Sequence, residues 1–202
     1  MSPSPIKTPR LIRDAHHRYF LDGVELIGNT AALKSMGYIN DRFYTVGGTA
    51  RGTDVHEATR LLDQRKLNWA TVGRVAHELA EYRRFKVTER FTPLTIEKPV
   101  ANLTYGYATT PDRFGLLGRG KAHRAVVQIK AGNPEPWVGL QLALEALCWP
   151  GSSPIRRYAL ELPARGPYRL HEYTDPLDFQ LALGAVAGAN WKRRQGYVVT
   201  TG

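Results

Sequence analysis

Asp112, Gln128 and Lys130 lie within one short segment, TTPDRFGLLGRGKAHRAVVQIKAG, residues 109–132. A carboxylate, a second side-chain oxygen and a lysine at this spacing suit phosphoryl chemistry. Two oxygens can hold Mg²⁺ or Mn²⁺, hard cations that favour oxygen ligands and keep several waters. Such an ion acidifies a bound water and polarises a phosphoryl oxygen. A lysine beside it offsets the charge that develops on phosphorus. Taken alone, the three residues also fit an ordinary hairpin carrying an Asp112–Lys130 surface pair.

The segment must position these groups as two strands about a glycine-flanked turn. Residues two apart on a strand share a face, so Gln128 and Lys130 point together, and Val127 and Ile129 point to the core. A turn centred between Arg119 and Gly120 sets Asp112 opposite Val127, next to Gln128, and a bulge would slip this by one. The Ile129 carbonyl, leaving the strand sideways, is a further candidate metal ligand. So is Glu97, which alternates with Ile96 in TIEKPV and equally suits an exposed strand position.

The remaining elements follow from periodicity and punctuation. RYFLDGVELIG (18–28) predicts a hairpin about Asp22-Gly23. NTAALKSMG predicts a short helix capped by Asn29 and stopped by Gly37. Helices are expected over 52–64 and 73–86, the first carrying His56, Arg60 and Asp63 as a polar stripe away from Val55 and Leu62. LTIEKPV, YGYATTPDRFGLL and HRAVVQIKAG predict three strands. An apolar helix opened by Pro136 follows and carries Gln141. IRRYALEL and YRLHEYT predict two more strands, and a helix capped by Asp175 ends the pattern. Residues 1–14 read as a loose arm, and 15–202 as a single α/β domain with a mixed sheet.

Composition narrows the class. The 202 residues are 43% hydrophobic and 23% charged, a globular balance, with no apolar run long enough for a membrane span. The N-terminal stretch has no apolar core of a signal peptide, and Cys148 is the single cysteine. A cytoplasmic protein without disulfides or cysteine-based zinc is expected. The net charge of +10 favours a polyanionic partner, DNA above all, and no membrane. Arg83, Arg84, Arg113, Arg193 and Arg194 are candidate phosphate contacts, and Tyr105 and Tyr107 candidate groove-lining rings. The sequence leaves homo-oligomerisation open.

The order G-x-x-x-H-E at 52–57, P-D at 111–112, the strand lysine Lys130 and the helical Gln141 resembles the PD-(D/E)XK nuclease superfamily. It looks most like the RecB-type branch, which includes phage recombination exonucleases. The resemblance runs from about residue 17 to 195. It implies a restriction-endonuclease-like core, a central mixed sheet flanked by helices, and metal-dependent DNA hydrolysis, exonucleolytic before endonucleolytic. It implies that Asp112 binds the metal, that Lys130 is the lysine of the third motif, and that His56 is a metal-ligating histidine. Gln141 matches the start of a helical Q-x-x-x-Y motif, although Glu145 stands where that motif has Tyr. Gln128 stands where the family carries Asp or Glu. A natural Q-x-K site, an engineered Glu→Gln and a degenerate nuclease that only binds DNA are the three explanations.

Overall fold

The structure, a computed structural model, describes residues 10–39 and 46–199. Among the described residues ten strands form two five-stranded sheets, and five α-helices pack about them. The first is built mostly from the N-terminal part of the chain. β1 (Leu11–Arg13), β2 (Tyr19–Leu21) and β3 (Val24–Gly28) run antiparallel. β3 then pairs in parallel with β6 (Tyr107–Thr109), whose other neighbour is β5 (Val100–Asn102). Asp22 and Gly23 both take positive φ, as the hairpin signal requires. Leu11–Arg13 is an edge strand, so the expected loose arm is corrected over these residues. Its first nine residues lie outside those described.

The second sheet runs in the order β10, β9, β8, β7, β4. Its strands are β4 (Thr92–Ile96), β7 (Arg113–Leu117), β8 (His123–Lys130), β9 (Arg156–Glu161) and β10 (Arg169–Glu172). β7 and β8 form the expected hairpin, with Arg113 opposite Val127, one residue from the arithmetic register. The segment expected as one strand, YGYATTPDRFGLL, breaks at Pro111-Asp112 into β6 and β7, which belong to different sheets. Gly115 on β7 passes so close to β4 that a Cβ there would lie 2.3 Å from the Thr92 carbonyl oxygen, beside a register shift at Pro93.

Alternation along β8 sorts the layers. Ala125, Val127 and Ile129 pack against α2 (Val46–Asp63) and α3 (Ala76–Thr88) through Val55, Leu79, Tyr82 and Phe85. Val126 on the opposite face packs on α4 (Val138–Ala146) through Val138 and Leu142. The far side of α4 meets α1 (Asn29–Ser35), α5 (Leu177–Arg194) and the first sheet through Ile27, Leu33, Tyr107, Leu144 and Val186. α4 therefore lies between the two sheets, which is why apolar residues fill all of its positions but Gln141 and Glu145. α1 begins at Asn29 with Gly28 as its cap, not Asn29, and Gly37 ends it at positive φ. No helix among the described residues is long and apolar enough to cross a membrane.

Candidate active site

At the ends of β7 and β8 an open cleft of about 870 Å³ is lined by Asp112, Ile129, Lys130, His56, Glu97 and Gln141, among others. Asp112 precedes β7 and is held from both sides. Its Oδ2 accepts the Ile129 backbone N–H at 2.7 Å, and its carbonyl accepts from Glu97 N at 3.1 Å. Tyr19 bonds Thr110 at 3.0 Å and ties the N-terminal hairpin to the loop carrying Asp112. Asp112 Oδ1 faces His56 Nδ1 at 3.5 Å.

The Ile129 side chain is fully buried among α2 and α3 residues, so its backbone is what borders the cleft. The N–H and C=O of one strand residue leave the same edge, and this N–H is directed at Asp112. β7 begins at Arg113, so the Ile129 carbonyl emerges beyond its end. Lys130, half-buried, sets its Nζ 5.2 Å from the centre of the Trp137 ring.

Glu97 faces the same point from β4's end. It lies 3.7 Å from Arg60 and 3.8 Å from Arg113. Burial raises its pKa and the charge of Asp112 adds to this, against the pull of Arg113, His56 and Arg60. Gln128 differs from expectation. It shares the Lys130 face but is only 2% exposed under α4 and does not line the cleft. Its Nε2 donates to Glu145 Oε1 at 2.7 Å, and Gln141 Nε2 donates to the same oxygen at 3.0 Å. Burial pushes the Glu145 carboxyl up to about 8, although both amide bonds pull it down.

By donor type the cleft suits a hard cation: Asp112, Glu97 and a strand carbonyl offer oxygen, and Gln141 Oε1 is a buried acceptor with no partner. Among the described residues no three His, Cys, Asp or Glu side chains converge closely enough to hold a metal by themselves. Any ion there would rest on Asp112 and Glu97 together with the carbonyl, Gln141 and water.

Two expected nucleic-acid contacts are corrected. Arg113 is fully buried and bonds Asp63, at 2.6 Å, and Thr59. Asp63, completely enclosed, also accepts from Tyr82 and Lys86, so it is no part of a solvated stripe. Tyr107 is fully buried and donates to the Leu144 carbonyl at 2.7 Å. Tyr105 is exposed but lies outside the cleft lining. Arg83 stacks over Trp69, Arg84 pairs with Glu81, and Arg193 lies 3.5 Å from Glu25. These three and the exposed Arg194 also lie outside the lining.

The basic residues that do line the cleft are Arg13, Arg51 and Lys130, with the imidazoles of His17 and His56 beside them. Arg51 bonds buried Glu78 through Nε at 2.7 Å, and its buried Nη2 has no partner. Sequence reasoning missed Arg51 because Gly47, Gly48 and Gly52 hide a helix that begins six residues earlier than expected.

No family model matches the chain, and no curated protein does. Among solved structures the chain is similar to the crystal structure of an alkaline exonuclease, LHK-Exo, from Laribacter hongkongensis. The match has 14% identity and a TM-score of 0.44, covering 85% of this chain and 93% of that one. The same exonuclease in complex with dAMP matches at 15% identity and a TM-score of 0.40, with the same coverage.

Proposed function

We propose that this chain is a nuclease of the PD-(D/E)XK type that hydrolyses DNA phosphodiester bonds with Mg²⁺ or Mn²⁺, acting from DNA ends in recombination or repair, with a phage or prophage origin. The observation that carries the reading is the lock between Asp112 Oδ2 and the Ile129 N–H. It brings a carboxylate, the end of β8 with its Ile129 carbonyl, and Lys130 to the mouth of one cleft. Asp112, with Glu97, the Ile129 carbonyl and His56, would hold the ion. The ion would supply an acidified water and a polarised phosphoryl oxygen. Lys130 offsets charge on the phosphate, and Trp137 at its side keeps its ammonium near the cleft wall. Arg13 and Arg51 draw the backbone in through long-range attraction.

A second reading is a nuclease-fold protein that binds DNA in the cytoplasm without cutting it. It is favoured by the burial of Gln128 away from the cleft and by the lack of a three-acid cluster among the described residues. End-labelled linear duplex and closed circular DNA, each incubated with Mg²⁺, Mn²⁺ or chelator, separate the readings. Metal-dependent loss of the linear form alone is expected. Retention of both forms with intact binding selects the second reading.

A further inference from the structure

The last turn of α5 holds two aromatic rings in the open. Gly196, at a φ of +82°, turns the chain back, and the Tyr197 N–H bonds the Lys192 carbonyl at 3.0 Å. Such a helix ending ordinarily seals a small apolar contact. Here the Tyr197 ring stacks on Trp191, with centres 6.1 Å apart and planes 23° from parallel. Yet Tyr197 stays 61% and Trp191 51% exposed. The tail is fixed beyond the rings as well, because Val199 packs against the core shared by α1, α4 and α5. Tyr105, 46% exposed, is held next to them by Asn190, whose Nδ2 donates to the Tyr105 carbonyl at 3.3 Å. Arg193, 3.5 Å from Glu25, and the exposed Arg194 complete the patch.

Open rings beside guanidinium groups suit a nucleic-acid strand, whose bases offer flat faces and whose backbone offers negative charge. Bases in a duplex are stacked on one another, so rings of this kind serve unpaired bases. The place of the patch also fits. β3 and β6 run in parallel into the cleft, where Asn29, Thr30 and Thr110 line it. The patch stands at the start of the same two strands, beside Glu25 and Tyr105. From Glu25 to Asn29 the chain rises about 13 Å, at about 3.3 Å per residue. That is about four nucleotides at the ~3.4 Å repeat of one DNA strand.

The geometry points to a binding site for unpaired DNA at the end of α5, in which bases stack on Trp191, Tyr197 and Tyr105 while Arg193 and Arg194 hold the backbone. It takes DNA as the partner from the reading above, but needs neither a metal nor hydrolysis. A strand whose end lies in the cleft gains a second hold outside it.

Fluorescence anisotropy of a labelled oligothymidylate of about twelve nucleotides, with the full chain in chelator, tests the site. The parent should bind. Trp191→Ala and Tyr197→Ala should each melt like the parent and weaken binding about tenfold, and Trp191→Phe should recover most of the loss. Arg193→Ala with Arg194→Ala should flatten the slope of log affinity against log salt by about 1.4, two phosphates' worth on a single strand. Undiminished affinity in Trp191→Ala and Tyr197→Ala, or no binding by the parent, overturns the site. So does a parent that sediments as a dimer which Trp191→Ala dissociates with no loss of oligonucleotide affinity, since the face then belongs to a second copy. Cleavage of linear duplex is scored apart from this. Binding that depends on Trp191, without metal-dependent cleavage, upholds the site and sinks the nuclease reading.

Discussion

Asp112 and Lys130 differ in what their loss should cost. Asp112→Ala removes the carboxylate that both locks β8 and would hold the ion. Lys130→Ala removes a half-buried charge packed on Trp137. Both should reduce metal-dependent cleavage by at least about a hundredfold, the scale on which single electrostatic groups act. Only Lys130→Ala should keep Mn²⁺ affinity near that of the parent. Equal cleavage by the parent and both variants in a labelled-duplex assay would sink the assignment. Glu145 gives a second prediction. Its folded pKa is raised to about 8, above the ordinary carboxylate value of 4.5. The unfolded chain therefore releases this proton first, and stability declines as pH rises from about 4.5 towards 8. Denaturant titrations across that window should show the slope in the parent and a flatter one in Glu145→Gln. At this scale the sequence was informative about chain-local pairs. Asp112 and Lys130 meet at one cleft because one hairpin joins them. The engagement of Gln128 with Glu145 depends on how α4 lies across the sheet, and no spacing in β8 reveals that.

α2 and β7 are clasped by charge in the interior. Arg113, Asp63, Tyr82 and Lys86 form one network, with Arg113 and Asp63 wholly enclosed. Asp63→Ala would strand the guanidinium in the core, and losing one partner of a buried pair costs about 3–5 kcal/mol. A corresponding drop in the denaturation midpoint is expected, larger than that of Glu57→Ala on the exposed side of the same helix. Matching losses in the two variants would argue against a buried network. A helical pattern with Asp at position 63 looks the same whether the carboxylate meets water or an arginine fifty residues on. Sequence reading therefore placed it outside. The hairpin about Asp22-Gly23 and the start of α4 near Pro136 were legible, because their signals are confined to a few residues. The division into two sheets was not, since β3 finds β6 by parallel pairing across most of the N-terminal half.

Across the whole molecule the excess of ten positive charges should make duplex DNA binding persist in chelator and weaken steeply with salt. The cleft lining gives this a location. Replacing Arg13 and Arg51 together by Ala should lower the slope of log affinity against log salt by about 2, one per lost phosphate contact. Replacing Arg83 and Arg84, engaged with Trp69 and Glu81 outside the cleft, should change it less. Fluorescence anisotropy over a salt series reads both, and equal slopes for the two double variants would remove the cleft from the DNA path.

The parallel pairing of Ile27 with Tyr107 also sets an order in time. The first wall of the cleft, carried by Arg13, Tyr19 and Thr30, is made early in synthesis but completes its sheet through a strand eighty residues later. Closing so long a loop is slow, and local pairings such as β7 with β8 should precede it. Pulsed hydrogen exchange during refolding should therefore protect Val126 and Val127 before Ile27 and Gly28. A chain folding in this order would hold Asp112 and Lys130 on a formed hairpin before Arg13 and Tyr19 reach them, so the cleft would exist as one exposed face before it became a cleft.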